Sequence, residues 1–324
     1  MEEFARFVLE DRHLSELAKS LRHELNDVVR AIDVRERLTA RSVASDCGTT
    51  ITVEGERTRS DAFAVAQSAA ARTQEALRCI EEYGKTIEPF DAPKIESIRY
   101  RVYTLAATLV LTPSRVERLR DAKLYLLIDC GSDAQTFSSS VEALFDAGVD
   151  VIQLRDKQAD DRRLYQYAKI AAQHARRLGK CFIMNDRADI AAATNASGVH
   201  VGQDELPVEA VRRIVGGQAL IGVSTHDLDQ AKAAVLDGAD YIGCGPTFPS
   251  RTKSFDGFPG TAFLREVASE ITLPTYAIGG IDEENLNEVM ATGIHGVALS
   301  SAIMSADNPV QATIRIKAKL SQPL

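Results

Sequence analysis

The sequence predicts an α/β fold, a (β/α)8 TIM barrel that follows an all-α N-terminal domain. From Leu124 onward, short β-rich runs alternate with amphipathic helical runs, and eight such units follow one another. Eight parallel strands close this barrel, whereas an open doubly wound sheet more often has about five or six. Before about residue 120 the chain has helical periodicity and almost no strand-like runs. We therefore expect a helical domain over 1–120 and the barrel over 121–324.

The N-terminal region is predicted to form amphipathic helices. Over residues 4–29 the apolar residues recur at intervals of three and four, which makes one apolar stripe of Phe7, Leu14, Leu17, Leu21, Leu25 and Val28. Segments 61–84 and 94–111 are helical in the same way. The charged residues are expected to form a solvated or interdomain face rather than a second ligand site; they are Arg72, Glu75, Arg78, Glu81 and Glu82. No catalytic constellation marks this region, and its role is left open.

No signal peptide is expected at the start of this sequence, because MEEFARFVLEDRH is charged throughout. A weak repeat relates EEFARFV at 2–8 to EEYGKTI at 81–87. The second copy follows a helical segment, whereas the first begins next to Met1. This difference leads to the hypothesis that the first helix is cut short, either because the true start of the protein lies upstream or because this sequence lacks that segment.

Composition and charge exclude several classes of function. The net charge of −8 argues against a general nucleic-acid or membrane-surface binder. No apolar run approaches the roughly 20 residues that span a bilayer. The five cysteines are scattered without Cys/His ligand spacing, so we expect reduced, mostly packed thiols in a cytoplasmic protein. Neither a structural zinc site nor a thiol nucleophile is expected.

Polar residues gather at the C-terminal ends of the predicted strands, where a barrel of this kind holds its substrate. The strand candidates are 124–129, 149–155, 181–186, 198–202, 219–225, 241–247, 274–280 and 296–301. Every strand from the second to the eighth delivers a polar group to this end. Taken singly, such groups have ordinary structural explanations, such as turn formation by Asn-Asp or helix capping by Ser-Ser. Together they predict one polar mouth.

Three basic side chains are expected at this mouth. Arg155 and Lys157 follow the second strand, and Lys253 follows the sixth. VIQLRDK at 151–157, taken alone, is compatible with a strand end exposed to solvent. Three converging cations in a protein of net charge −8 instead indicate an anion richer than one carboxylate, and a diphosphate fits.

Acidic groups are expected beside these cations. Carboxylates at Asp186 and at Asp204 or Glu205 would repel a diphosphate unless a cation lay between them. Hard oxygen ligands in small number suit Mg²⁺, which would bridge to phosphate oxygens. The alternative is that they form salt bridges with Arg155 and Lys157. A third group consists of uncharged residues: Gly280, Ser300 and Ser301, with Ser250 and Thr252. Backbone N–H groups and hydroxyls after strands 7 and 8 are typical of a phosphate-monoester site in this barrel.

The barrel resembles the thiamine-phosphate synthase (thiamine-phosphate pyrophosphorylase) family over about residues 122–320. The resemblance rests on ordered motifs: QLRDK, ND, GVHVGQDEL, GVSTH, ADYIGCGPTFPSRTK, AIGGI and GVALSSAI. The N-terminal region resembles a helical extension fused to some members. The family joins 4-amino-2-methyl-5-hydroxymethylpyrimidine diphosphate to thiazole phosphate and releases pyrophosphate. The resemblance therefore implies a transferase of thiamine biosynthesis that uses Mg²⁺ and phosphorylated small-molecule substrates.

The resemblance also implies roles for single residues. The implied catalytic residues are Arg155, Lys157, Ser224 and Lys253. The implied substrate-binding residues are Gln153, Leu154, Asp156, Asn185, Ser250, Arg251, Thr252, Gly280, Ser300 and Ser301. Asp186 would hold Mg²⁺. The second metal ligand falls on Glu205, where an aspartate is more usual, or on Asp204 one position earlier.

A dissociative substitution is expected from the chemistry of these substrates. The amino-substituted pyrimidine stabilises a benzylic-type cation, so the diphosphate leaves and the thiazole nitrogen then attacks. No protein nucleophile is expected: Ser224 has no evident His or Asp partner, and His226 is expected to face away. Loop 248–260 is expected to act as a lid that carries Lys253 inward and excludes water.

Two other functions stay open at this point. A thiazole-phosphate tautomerase on the same scaffold needs neither a diphosphate site nor a metal, and a non-catalytic phosphate-ligand sensor needs no chemistry at all. The presence of Arg155, Lys157, Asp186 and Lys253 together argues against both. Whether the chain forms a homo-oligomer is also left open.

Overall fold

The computed structural model describes residues 1–30, 35, 39, 58–86, 90–249 and 260–322. The chain divides into two compact units, Met1–Leu111 and Thr112–Leu324. The predicted division at residue 120 into a helical and a barrel domain stays a prediction. None of the helices in the described ranges is long and apolar enough to cross a membrane.

The first unit contains helices and, among its described residues, no strand. The helices are α1 (Glu2–Phe7), α2 (Arg12–Val29), α3 (Ala62–Gly84) and α4, which begins at Ala92 and ends at Val116. Leu14, Leu21 and Val28 are buried along one side of α2, as the apolar periodicity predicts. Asp11 caps this helix by accepting a hydrogen bond from the backbone N–H of Leu14 at 2.8 Å.

Helices α3 and α4 share a buried ion pair. Arg99 Nε donates to Glu81 Oε2 at 2.6 Å, and both side chains are almost wholly buried. A charge removed from water needs a close partner, because its desolvation is costly. The expectation of a solvated or interdomain charged face is therefore wrong for Glu81, whereas Arg72, Glu75 and Arg78 are exposed.

The second unit is a closed barrel of eight parallel strands in sequence order, with β8 beside β1. The strands are β1 (Leu124–Ile128), β2 (Val151–Leu154), β3 (Cys181–Asn185), β4 (Gly198–Val201), β5 (Leu220–Thr225), β6 (Tyr241–Cys244), β7 (Thr275–Ile278) and β8 (Gly296–Leu299). Each predicted strand is present. The prediction of a (β/α)8 barrel is confirmed.

Helices surround the barrel, and a 3₁₀ turn at Glu117–Leu119 precedes β1. The helices are α5 (Ala134–Asp146), α6 (Asp161–Leu178), α7 (Ala188–Thr194), α8 (Val208–Val215), α9 (Leu228–Asp237), α10 (Gly260–Glu270), α11 (Leu286–Met290), α12 (Ser301–Met304) and α13 (Pro309–Leu320). Helix α6 is typical: Leu164, Ala168 and Ala175 are buried on its inner side, and Asp160 caps its start. Small alanines let such a helix pack closely on the strands.

Aromatic side chains fill the lower interior of the barrel. Tyr125, Tyr241 and Tyr276 are buried with ring centroids between 5.2 and 5.9 Å apart. They pack with Val151 and Leu220 in one inward-facing cluster. The cavity described below therefore has a floor made of phenol rings.

Two carboxylates brace the N-terminal ends of the strands. Asp240, directly before β6, is fully buried and accepts from Arg115 Nε at 2.5 Å and from Arg212 Nη2 at 2.6 Å. Asp150, directly before β2, accepts from the backbone N–H of Leu124 at 3.0 Å and from the Lys317 ammonium. Both carboxylates thus combine backbone and side-chain partners, as buried charges require.

Candidate active site

A cavity of about 450 Å³ opens at the C-terminal ends of the strands. Side chains from several strands and their following loops line it, and their polar members include cations, amides, hydroxyls, the Asp129 carboxylate and the imidazoles of His200 and His226. From the predicted set, the lining includes Gln153, Arg155, Lys157, Asn185, Ser224, Gly280, Ser300 and Ser301. The closed barrel thus brings together residues that are almost 150 positions apart in sequence, as the prediction of a shared mouth requires.

Two cations at the mouth, Arg155 and Lys157, carry no partner of opposite charge among the described residues. Arg155 and Lys157 follow β2, and both are exposed and line the cavity. Within the described part of the chain, neither side chain forms an ion pair or a hydrogen bond. The backbone N–H of Arg155 donates to the carbonyl of Ile128 at 2.8 Å, which holds the residue against the end of β1. Two unpaired cations at one cavity favour binding of an anion with several oxygens.

One acidic residue, Asp186, lies in the electrostatic field of these cations and of Glu205. The pKa of Asp186 is raised by burial and by the negative charge of Glu205, and Arg155 and Lys157 oppose that rise. Asp186 has a left-handed backbone with φ of 60°, and its N–H donates to the carbonyl of His200 at 2.8 Å. The four charged groups therefore occupy one region beside the mouth.

These carboxylates fit a magnesium ion. The Glu205 carboxylate lies against Gly202, close enough that a Cβ on this glycine would displace it, and both Asp204 and Glu205 are exposed on the same loop. Two carboxylates that repel each other, near two exposed cations, are a donor set that suits Mg²⁺ when water and phosphate supply its other ligands. Among the described residues there is no cluster of three or more His, Cys, Asp or Glu side chains that could hold a metal alone.

The glycine and serine positions lie after β7 and β8, as predicted. Gly280 has φ of 64°, and a side chain there would collide with the backbone of Phe248 and Pro249. The Gly280 carbonyl accepts from Asn285 Nδ2 at 2.9 Å, which fixes the turn after β7. Ser300 and Ser301 stand at the start of α12 and line the cavity. Their exposed hydroxyls and the compact turn leave room for a phosphate.

Sequence reasoning missed a hydrogen-bonded chain across the barrel floor. Gln153 Nε2 donates to the Tyr125 hydroxyl at 2.9 Å, and that hydroxyl lies 3.0 Å from the Tyr241 hydroxyl. The Tyr241 hydroxyl lies 3.2 Å from His200 Nδ1, and His200 Nε2 lies 2.9 Å from Ser224 Oγ. The chain links five strands through five side chains. The sequence signal was a polar His within GVHV, which a period-of-two reading places on the inner face.

His200 therefore corrects one expectation. Ser224 was expected to lack a His partner, and the structure places His200 within hydrogen-bonding distance of its hydroxyl. Burial lowers the pKa of His200 to about 4, and the positive charge of Arg155 adds to this effect. The imidazole is consequently neutral at physiological pH.

His226 corrects a second expectation. It was expected to face away from the mouth, but it lines the cavity. β5 ends at Thr225, so the alternation of a continuing strand no longer applies to the next residue. His226 Nδ1 lies 2.5 Å from the carbonyl oxygen of Gly245, which orients the ring.

Other predicted residues lie elsewhere. Leu154 is fully buried in β2 and alternates with the inward-facing Gln153, so its side chain is not part of the cavity lining. Asp156 accepts hydrogen bonds from the backbone N–H groups of Cys130, Gln158 and Ala159, and thus shapes the loop after β2. Ser250, Arg251, Thr252 and Lys253, with most of the expected lid 248–260, lie outside the described residues.

A closed (β/α)8 barrel with a polar cavity at the C-terminal strand ends defines the protein as a barrel enzyme. The model of a family described as thiamine monophosphate synthase matches residues 124–303. The thiamine-phosphate synthase of Rhodopirellula baltica is 45% identical over 98% of this chain and 87% of that relative. That of Synechocystis sp. is 39% identical over 99% of this chain and 92% of that relative. The chain belongs to the thiamine-phosphate synthase family and is a transferase, which confirms the resemblance found in the sequence.

Two further similarities cover the parts of the chain separately. The model of the ThiD2 family matches residues 1–108, which include α1, α2, α3 and the first part of α4. A thiamine phosphate pyrophosphorylase from Pyrococcus furiosus covers 63% of this chain and 100% of its own, with a TM-score of 0.56 and 31% identity. This solved structure has the length of a barrel alone.

Proposed function

We propose that this chain condenses 4-amino-2-methyl-5-hydroxymethylpyrimidine diphosphate with thiazole phosphate to give thiamine phosphate and pyrophosphate. One observation carries the proposal: Arg155 and Lys157 line the cavity without an ion-pair partner in the described residues, while Asp186 lies in their field and in that of Glu205. Cations alone would serve any anion. Cations together with a carboxylate pair favour a diphosphate that binds through a metal.

The chain's own residues act mainly on the leaving group. As the bond between the pyrimidine methylene carbon and the diphosphate oxygen breaks, negative charge grows on the diphosphate, and the positive charges of Arg155 and Lys157 stabilise it. Lys253 joins them in the proposal on the basis of sequence alone. The thiazole nitrogen then forms the new bond to the methylene carbon. Gln153 and Asn185 line the same cavity and orient the pyrimidine through their amides.

Asp186 would hold Mg²⁺, with Glu205 as the second carboxylate in preference to Asp204. Bound there, the ion would neutralise phosphate oxygens and make the diphosphate a better leaving group. Glu205 is preferred because its charge acts on Asp186, which requires the two carboxylates to lie near each other.

The second substrate is assigned to the other side of the cavity. Gly280, Ser300 and Ser301 would bind the phosphate monoester of the thiazole through backbone N–H groups and hydroxyls. Ser250 and Thr252 complete this set from the sequence. The anion sites would then lie at separate strand ends, after β2 for the diphosphate and after β7 and β8 for the monoester.

We also propose the cytoplasm as the compartment and small phosphorylated molecules, rather than nucleic acid or a membrane surface, as the partners. Cys79, Cys130, Cys181 and Cys244 are free thiols, and the net charge is −8. Light scattering of the full-length protein would measure whether it forms a homo-oligomer.

A coupled pyrophosphate-release assay tests the proposed function. The full chain with both substrates and Mg²⁺ should release one pyrophosphate for each thiamine phosphate formed. Chelation of the metal should stop the reaction, and added Mg²⁺ should restore it. Turnover of a thiazole phosphate isomer without pyrophosphate would identify a tautomerase instead. Binding of both substrates without turnover would identify a ligand sensor.

A further inference from the structure

The hydrogen-bonded chain under the cavity has a direction, and that direction assigns a role to His200. We propose that His200 is a positioning residue whose Nε2–H donates to Ser224 Oγ, so that the Ser224 hydroxyl proton is free to donate into the cavity. The identity of the acceptor, an oxygen of the diphosphate ester, rests on the proposed function. The direction of the hydrogen bonds from Gln153 to Ser224 does not rest on the proposed function.

The direction is set at Gln153. Its Nε2 donates to the Tyr125 hydroxyl at 2.9 Å, so one acceptor position on that oxygen is occupied. The remaining partner of this buried hydroxyl within the described residues is Tyr241, at 3.0 Å. Tyr125 must therefore donate to Tyr241. If Tyr241 donated instead, the Tyr125 proton would be buried without an acceptor, which is costly.

The direction then passes through the imidazole. Tyr241 accepts from Tyr125 and donates its own proton to His200 Nδ1, 3.2 Å away. A neutral imidazole carries one ring proton, so an accepting Nδ1 places that proton on Nε2. Nε2 lies 2.9 Å from Ser224 Oγ and donates to it. His200 in this state cannot take the proton of Ser224.

The backbone makes room for this arrangement. A side chain on Gly222 would collide with the Tyr241 ring and would place its Cβ 2.5 Å from His200 Nδ1. A Cβ on Gly243 would lie 3.3 Å from the His200 ring. Both glycines are in strands, β5 and β6, where the missing side chain is a cost to the strand. The space they leave is filled by the two rings of the chain.

The consequence is that Ser224 acts as a donor and not as a nucleophile. The imidazole N–H occupies a lone pair of its oxygen, and among the described residues the Ser224 hydroxyl has no other hydrogen-bond partner that could remove its proton. A hydroxyl that is oriented in advance stabilises charge developing on an acceptor oxygen more than a freely rotating one does. Ser224 would then assist Arg155 and Lys157 on the leaving diphosphate.

NMR of the full chain with ¹⁵N-labelled histidine tests the tautomer directly. Correlations between the ring nitrogens and the carbon-bound ring protons distinguish protonated from unprotonated nitrogens. The chain has six histidines, and the His200 signals are those lost in His200→Gln, or shifted in Ser224→Ala if the first variant does not fold. A ring protonated at Nε2 alone supports the proposal. A ring protonated at Nδ1, or at both nitrogens, overturns it.

Two tyrosine variants form a matched pair for the same measurement. Tyr241→Phe removes the donor to Nδ1, so the His200 ring should populate both tautomers. Tyr276→Phe removes an equally buried hydroxyl that takes no part in the hydrogen-bonded series, since it donates to the carbonyl of Ala122 at 2.9 Å. This variant should leave the His200 tautomer unchanged. A His200 spectrum that is unaffected by Tyr241→Phe contradicts the proposed direction.

Kinetics separate positioning from general-base catalysis. His200→Leu should lower kcat by about 100-fold with little change in KM, because the hydroxyl loses its orientation. His200→Gln keeps an N–H near the Nε2 position and should recover most of that loss. If Gln is as slow as Leu, His200 acts as a base and the proposal fails. If the native protein turns over neither substrate, the proposed function fails. The NMR result still decides the direction of the hydrogen bonds from Gln153 to Ser224.

Discussion

The two ends of the barrel use the same kinds of charged residue in opposite ways. At the N-terminal strand ends, Asp240 is fully buried and binds two guanidinium groups, those of Arg115 and Arg212. At the C-terminal strand ends, Arg155 and Lys157 are exposed, and within the described ranges they form no ion pair. One end has satisfied its charges internally, and the other presents them to a cavity.

The difference separates stability from function within one domain. A buried charge with partners holds neighbouring elements together, and its loss leaves an uncompensated group. An exposed charge without partners adds little to stability, so its retention is explained by what it binds. Barrels of this class show the same division, with catalytic groups at the C-terminal ends of the strands.

The largest expected effect is at the N-terminal end. Asp240→Ala should lower the free energy of unfolding by about 3–5 kcal/mol, because Arg115 and Arg212 lose their shared partner in a buried position. Urea unfolding of the full chain, followed by circular dichroism, measures it. Asp237→Ala, which removes a nearby exposed carboxyl at the end of α9 with no such ion pair among the described residues, is the control. A loss no greater than that of the control would break the comparison.

The next effect is at the mouth. Arg155→Ala should lower kcat by about 10²–10³-fold, since one positive group that stabilises the leaving diphosphate is removed. Its free energy of unfolding should change by less than about 0.5 kcal/mol, as for other exposed positions. Arg162→Ala removes an exposed guanidinium from α6 and should keep full activity. Steady-state pyrophosphate release measures all three proteins, and equal loss in both variants would contradict a specific role.

A smaller effect distinguishes the two acidic neighbours. Glu205→Gln should raise the Mg²⁺ concentration for half-maximal activity by about 10-fold, because a carboxylate ligand is lost. Asp204→Asn, on the adjacent exposed residue, should leave that concentration nearly unchanged. Magnesium titrations of activity measure both. The reverse result would assign the second ligand to Asp204.

The smallest effect extends the comparison to the helical unit. There, Glu81 and Arg99 form a buried ion pair, as the charged residues at the N-terminal strand ends of the barrel do. The hydrogen bond from Arg99 lowers the pKa of Glu81 below its ordinary value of 4.5. The ionised form is thus favoured by folding, and its contribution is present above about pH 4.5 and is lost as the pH falls through the depressed pKa.

Thermal melts at a series of acidic pH values test this sign. Native protein should lose stability steadily below pH 4.5, and Glu81→Gln should show a weaker dependence on pH over the same range. Glu75→Gln removes an exposed carboxylate from the same helix and should behave like the native protein. Identical pH dependence in native protein and Glu81→Gln would show that the pair contributes nothing.

The fold could be predicted because each strand is a short apolar run with its own local signal. The predicted strand 219–225 differs by one residue at its start from β5, and 198–202 by one residue at its end from β4. The strand ends then place Arg155 and Ser224 at one mouth without any knowledge of contacts. This part of the site follows from topology alone.

The chain through Tyr125, Tyr241 and His200 could not be predicted in the same way. Its hydrogen bonds join β1, β6 and β4, which are not neighbours in the barrel, so they depend on strand tilt and on side-chain reach. The burial of Glu81 escaped for a similar reason, because its partner Arg99 lies on another helix. Long-range pairs of polar side chains leave no periodic trace in a sequence.

Arg115 has a practical consequence for cutting the chain into expressible fragments. A truncation that starts at residue 121 discards this guanidinium, together with Leu119, which is buried in the cluster at the barrel's base. In such a fragment the buried carboxylate of Asp240 would keep Arg212 as an ion-pair partner but lose Arg115. The fragment should therefore fold poorly and accumulate in inclusion bodies. A fragment that starts at Thr112, the first residue of the second compact unit, retains this cation and should yield more folded barrel.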